Sequence, residues 1–320
     1  MIYKYIEYKL NKLYYDVFYA YINKLAPITA NPMNNITTEQ NNPSLIEKLK
    51  AQRVAYSQCK RFQFFDVISV LIAIIFPLIA LIKPEYQNII NAFGVLWTVA
   101  YLLTELYRKS KTTQGATIQE QFDTELYGLD WNKILCKSKV NIDTIQTLSS
   151  KYKKNDVQNW YSTKIDSSLP KEIAIILCQR INFSWEINQR KKFVGFLAII
   201  TTVYYLIYIV IGFTQNIGFF DLLILLSPSI PFLVFSVQNI LSLKSHISSK
   251  NETLNYIDSE LDNYKTSRNT PSLEQLRQIQ DTIFTERTVT EKVPDWFYKL
   301  NKATNEKFID NLIIKIQSNF

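Results

Sequence analysis

The sequence predicts an all-α membrane protein: four transmembrane helices in two hairpins, carrying a helical cytoplasmic domain. Three observations lead there. Four long windows carry no charge in a chain that is 20% charged, and Lys and Arg gather at one end of each window. Gly is scarce, at 6 residues, and no strand-length alternating run bounded by turn residues stands out. The expected organisation is residues 1–34, 35–65, 66–106, 107–192, 193–243 and 244–320 in turn.

Residues 1–34 read as an amphipathic N-terminal extension. Ile6, Leu10, Leu13, Val17 and Tyr21 recur at helical spacing, with Lys4, Lys9, Lys12 and Lys24 between them. No continuous apolar centre of the kind a signal peptide needs is present. The segment suits a helix lying on the membrane surface, or an upstream extension or packing helix with Met33 as an alternative start.

Residues 35–65 form a cytoplasmic helix that leads into the first hairpin. Its first run, residues 67–82, is short for a hydrocarbon core of about 30 Å but gains length from Phe62 to Phe65, broken only by Asp66 near one end. At a span's centre a carboxylate costs about 2.5–3.5 kcal/mol; near the end it reaches the headgroups. The other charge-free windows are Tyr86 to Thr104, Phe193 to Phe220, and Leu222 to Leu243. Four buried helices of a soluble protein would alternate apolar and polar faces, and these do not.

Orientation follows from the basic residues, which collect on cytoplasmic flanks. Lys48, Lys50, Arg53, Lys60 and Arg61 precede the first run; Arg108, Lys109 and Lys111 follow the second. Arg190, Lys191 and Lys192 precede the third, and Lys244 and Lys250 follow the fourth. The tight connections differ: KPEYQ balances one Lys with one Glu, and TQNIGFFD has no base. Both termini and residues 107–192 are therefore expected in the cytoplasm.

The soluble parts read as helices. Pro170 suits a first helical turn, and Ile173, Leu177, Ile181 and Trp185 repeat every four residues on a helix that runs without a breaker into the third span. Further on, Thr270 is the expected cap and Pro271 the first position, with Leu273, Leu276, Gln280 and Ile283 as a stripe.

The net charge of +8 and pI of about 9.1 point away from a DNA or RNA polymer partner, because the bases sit at membrane boundaries. Cys59, Cys136 and Cys178 are odd in number and widely spaced, which indicates neither a disulfide framework nor a zinc site. With His246 the sole histidine, and no Walker loop or GxGxxG, no catalytic constellation, metal site or cofactor is expected. Glu120 and Asp123 share a helix face, where a solvated face or an ion pair competes with a cation site.

Several short motifs occur in a fixed order. TEQNNPSLIEKLKAQRVAYSQCKR leads into the first hairpin and GATIQEQFDTELYGLDWN follows it. NWYSTKIDSSLP and LCQRINFSWEINQRKKF precede the second hairpin; LRQIQDTIFTER and VPDWFYKLNK come after it. From Asn35 to about Ile309 this order resembles the SMODS-associated four-transmembrane effector family, regarded as pore-forming effectors encoded beside cyclic-oligonucleotide synthases in bacterial CBASS antiphage loci. The resemblance implies a cytoplasmic sensor for a cyclic oligonucleotide that, once occupied, makes the membrane helices disrupt the bacterial inner membrane. Four spans per chain enclose little on their own, so a pore implies a homo-oligomer.

Such a ligand offers phosphates to Arg forks and helix N-termini, and bases to aromatic rings and amides. The family-like segments hold those types in Trp160, Tyr161, Gln179, Arg180, Asn182, Trp185, Arg277, Gln280 and Arg287. Arg180 is the first candidate to grip a phosphate, with Trp160 or Trp185 under a base. Against this, Trp185 lies on an apolar stripe, and Arg180 can pair with Glu120, Asp123 or Asp281 instead.

For a pore or gate the candidates are Asn88, Asn91, Glu105, Ser227, Pro228 and Pro231, since SPSIP removes backbone donors inside the fourth run. Ordinary helix-to-helix hydrogen bonding is the competing role for the polar ones. Three functions fit: a ligand-triggered membrane-disrupting effector, an effector that its ligand holds inactive, and a constitutive transporter or scaffold. A transporter would show repeat symmetry between the hairpins, and residues 66–106 and 193–243 show none that convinces.

Overall fold

Every regular element among the described residues is a helix, as the scarcity of Gly and of alternating runs predicts. The structure, a computed structural model, describes residues 34–61, 83–220, 230–289 and 293–320, together with Ile68, Leu71, Ile75, Ile79 and Leu222. Residues 1–33 of the amphipathic N-terminal extension, most of the first charge-free run, and Ser227 and Pro228 lie outside the described residues.

A short α1 (Ile36–Glu39) leads into α2 (Pro43–Arg61), with Leu45, Leu49, Ala51, Gln52, Ala55 and Cys59 buried. After a single turn at Pro84–Tyr86, α3 (Gln87–Tyr127) runs for 41 residues, about 60 Å at 1.5 Å per residue. It stops at Gly128, whose φ of 73° is the left-handed conformation that ends helices without strain when no Cβ is present. The short α4 (Ile142–Ser149) begins where the Asn141 side chain accepts from the Thr144 amide.

The next helix, α5 (Lys171–Thr214), is continuous for 44 residues, so the expected passage from cytoplasmic helix into apolar run is present. Among the described residues it is the one helix long and apolar enough to cross a membrane, with a mean hydropathy of 2.3 over its 18-residue apolar window. Three helices follow: α6 (Ile230–Ser267), α7 (Leu273–Val289) and α8 (Asp295–Gln317). The expected Thr270 cap is displaced by two residues. Ser272 Oγ accepts from the Gln275 amide while Gln275 Oε1 accepts from the Ser272 amide, a reciprocal capping box with Gln in the third position. Leu276, Gln280 and Ile283 are buried as the stripe requires, but Leu273 is exposed, one turn too early to reach the core.

Packing follows the apolar faces. α2 lies along α3, α5 along α6, and α4 on α2; α7 bridges α3 and α5, and α8 rests on α5. One core cluster joins Leu49, Phe122, Ile176, Leu177, Ile257, Leu276 and Ile313 from six of these helices. Each fully buried Leu, Ile or Phe contributes roughly 1.5–3 kcal/mol. The core lies in the expected cytoplasmic part and reaches only the ends of the second hairpin, at Val194 and Leu243. Along α3, Ile89, Leu96, Leu103 and Leu106 are exposed, whereas Ala116, Ile118 and Phe122 are fully buried.

The expected gate residues sit in this apolar part: Asn88, Asn91 and Glu105 on α3, with the Asn88 side chain exposed, and Pro231 on α6.

Candidate ligand site

A cavity of about 740 Å³ opens between α2, α5, α8 and the loop before α5. Helical periodicity puts its lining side chains on shared faces. On α2, Gln52, Arg53, Tyr56 and Lys60 fall at successive turns; on α5, Asn182, Trp185, Glu186 and Gln189 follow the spacing of three and four. α8 supplies Tyr298, Lys299 and Lys302.

The loop that carries Trp160 and Tyr161 is fixed from both sides. Gln40, the last residue of α1's turn, donates to the Tyr161 carbonyl at 3.3 Å and accepts from its amide at 2.7 Å. Asn34 Nδ2 donates to the carbonyls of Asp166 and Leu169 at 2.8 and 2.9 Å. The α8 wall is held by Ser162 donating to Asp310 at 2.6 Å and by Asn188 donating to Asn305 at 2.6 Å.

Basic side chains outnumber acidic ones around the space: Arg53, Lys60, Lys154, Lys299 and Lys302, with Arg190 and Arg287, face Asp156, Glu186, Glu306 and Asp310. Aromatic rings stand among them. The Arg53 guanidinium lies 5.0 Å from the Trp160 ring centroid and 5.8 Å from that of Tyr298, and Trp185 is 6.0 Å from Tyr298. The Tyr152 hydroxyl donates to Asp156, which holds that carboxyl below the usual range; burial and the same bond push Tyr152 up to about 12.

Beneath the cavity lies a buried ionic network. Arg287 pairs with Asp123 at 2.6 Å and donates to Asn182 Oδ1 at 2.9 Å, and the Tyr161 hydroxyl donates to Asp123 at 2.6 Å. Burial opposes the Arg287 charge, but Asp123 beside it more than offsets that and raises its pKa further. Glu120 takes Arg277 at 2.5 Å and Gln280 at 2.8 Å; its own pKa is pushed up by burial, with Arg277 pulling the other way. Glu120 and Asp123 are thus fully buried ion-pair partners rather than a solvated face.

Five of the nine expected ligand residues, Trp160, Tyr161, Asn182, Trp185 and Arg287, line the cavity. Gln179, Arg180, Arg277 and Gln280 do not. Arg180 grips Asp258 of α6 with two nitrogens at 2.6 and 3.1 Å, so its fork is already engaged across the α5–α6 contact. Gln179 donates to the Leu276 carbonyl at 2.8 Å, and Arg277 also holds Asp281 at 2.7 Å.

Sequence reasoning missed Gln52, Gln189 and Tyr298, and assigned Arg53, Lys60 and Arg190 to membrane orientation alone. A signal existed for Gln189: it is the next residue after Ile173, Leu177, Ile181 and Trp185 at the same spacing, a polar residue on an apolar stripe. The structure buries it to 4% exposure, with neither its amide oxygen nor its nitrogen bonded.

The family model for the SMODS-associating 4TM effector domain matches residues 34–314. A Bacillus cereus (strain VD146) protein described as a probable CBASS effector molecule is 29% identical over 290 residues, covering 87% of this chain and 97% of that protein. No solved structure matches the chain.

Proposed function

Because this chain belongs to the SMODS-associating 4TM effector family, we propose that it is an antiphage effector that binds a cyclic oligonucleotide in the cytoplasm and disrupts the bacterial inner membrane, stopping growth or killing the cell. As a member of that family it is a membrane protein. The antiphage role is supported by the similar Bacillus cereus protein described as a probable CBASS effector molecule.

The observation that carries the ligand is the cavity itself. Its volume suits a compact nucleotide, its basic excess suits phosphodiesters, and Trp160, Trp185 and Tyr298 offer faces for bases. Cavity and membrane share a helix: α5 passes from Asn182 and Arg190 to the apolar run at Phe193 with no break. A shift of α5 at the cavity is therefore carried into the span. Four spans per chain in two hairpins enclose little space, so membrane disruption calls for several copies. The ligand is bound and released intact, since nothing in the sequence assembles a catalytic centre.

The test is dye release from liposomes containing the purified full chain, with cyclic diadenylate, cyclic diguanylate, cyclic GMP–AMP or cyclic triadenylate added or withheld. Release on addition of one of them, with that nucleotide recovered intact by chromatography, is expected. Release without nucleotide that addition suppresses would reverse the sign of control. No release under any condition would remove the effector reading in favour of a transporter or scaffold.

A further inference from the structure

The cavity wall formed by α2 and α5 holds polar atoms that the fold leaves without hydrogen-bond partners. Gln52 Nε2, Arg53 Nε, both amide atoms of Gln189, and Arg190 Nε and Nη1 make no hydrogen bond. Gln52, Gln189 and Arg190 are only 1%, 4% and 4% exposed. Arg190 is engaged through Nη2 alone, by Glu186 at 3.6 Å, and Glu186 is itself drawn to Lys250 of α6 at 2.8 Å. Buried donors and acceptors are bonded in the great majority of cases, and leaving one unmade destabilises the fold. Here they converge on one space from two helices.

We propose that Gln52, Arg53, Gln189 and Arg190 form a subsite for a phosphodiester anion and the sugar hydroxyl beside it. That the anion belongs to a cyclic oligonucleotide rests on the function proposed above. Arg53 and Arg190 supply charge, and the Gln52 and Gln189 amides supply neutral donors, which together match the acceptor-only oxygens of a phosphodiester. Gln189 Oε1 accepts and has nothing to accept from, so a phosphate alone leaves it unmet. A hydroxyl next to the phosphodiester meets it. Two sources share that chemistry: a ribonucleotide linkage, and the headgroup of an anionic phospholipid such as phosphatidylglycerol. The second is within reach because Arg190 is three residues from Phe193, where the apolar run of α5 begins.

The experiment uses the full chain in nanodiscs of phosphatidylcholine, read by calorimetric titration with the four cyclic nucleotides named above and by thermal unfolding without nucleotide. Arg190→Gln is expected to weaken binding about tenfold to hundredfold, the loss of a charge-assisted hydrogen bond. Gln189→Leu separates a ligand role from a structural one. It removes an unsatisfied amide from an apolar stripe, so it is expected to raise the unfolding temperature of the empty protein while weakening binding severalfold. A 2′-deoxy analogue is expected to bind wild type less well than the ribonucleotide does, with the difference gone in Gln189→Leu.

Unchanged affinity in Gln189→Leu, or a lowered unfolding temperature, would overturn the subsite while leaving the cyclic-oligonucleotide reading intact. If no cyclic nucleotide binds, but added phosphatidylglycerol raises the wild-type unfolding temperature and not that of Gln189→Leu, the subsite stands and its occupant is lipid. If neither anion acts on wild type, both are wrong.

Discussion

The two ends of α5 obey opposite rules. From Ile173 to Leu177 its apolar side chains are fully buried, while Ile199, Val203, Val210 and Phe213 are 48–80% exposed. Polar residues invert as well: Arg180, Gln189 and Arg190 are buried in the first half, whereas the run from Phe193 to Phe220 has no charge to bury. In water the second half would be an adhesive surface; in lipid an exposed Ile is already in a matching solvent. The same helix therefore suits two solvents, and the change falls between Leu197, still 8% exposed, and Ile199.

The comparison can be broken most severely at the cytoplasmic half. Asp123→Ala removes the carboxylate paired with the buried Arg287 guanidinium, and loss of about 3–5 kcal/mol is expected by thermal unfolding of the detergent-solubilised chain. Replacing both by apolar residues of similar volume should cost much less; equal losses would mean that packing rather than charge carries the effect. Next in size is a charge in the other half. Val203→Asp should cost about 2.5–3.5 kcal/mol of insertion, read as a reduced membrane-integrated fraction, and should leave the ligand cavity untouched. Normal insertion would show that Val203 does not face lipid.

The smallest effect sharpens the contrast between two arginines on one helix. Arg180→Ala loses a bidentate partner, but Asp258 is 43% exposed and screened by solvent, so about 1 kcal/mol of stability is expected with nucleotide affinity unchanged. A tenfold loss of affinity would restore Arg180 to the ligand site.

Much of this was legible in the sequence because it is local. The continuity of α5, the stripe of Ile173, Leu177 and Ile181, and the absence of strands among the described residues all follow from spacing and composition. Partner choice was not legible. Arg180 and Asp258 are 78 positions apart, and nothing in either neighbourhood selects one over Glu120, Asp123 or Asp281. The cavity was half legible: aromatic and amide types in the right motifs were found, but Arg53 and Arg190 sit where membrane proteins collect positive charge anyway. The orientation rule explained them so well that their second role went unseen. Gln52 and Gln189 could be recognised only as polar interruptions of apolar stripes, which a buried hydrogen bond would explain equally well.

The Arg53 guanidinium between Trp160 and Tyr298 has a consequence for how sharply the protein responds. It occupies faces on which a base would stack, so an incoming nucleotide competes with the protein's own side chain. Two such ring contacts are worth roughly 1–2 kcal/mol together, which shifts half-occupancy upward by about fivefold to thirtyfold. On the function proposed above, that internal competitor raises the messenger concentration needed to trigger membrane disruption. On the same proposal Arg53, displaced by the arriving base, is free to meet the phosphate, so the group that resists the first encounter would stabilise the final complex.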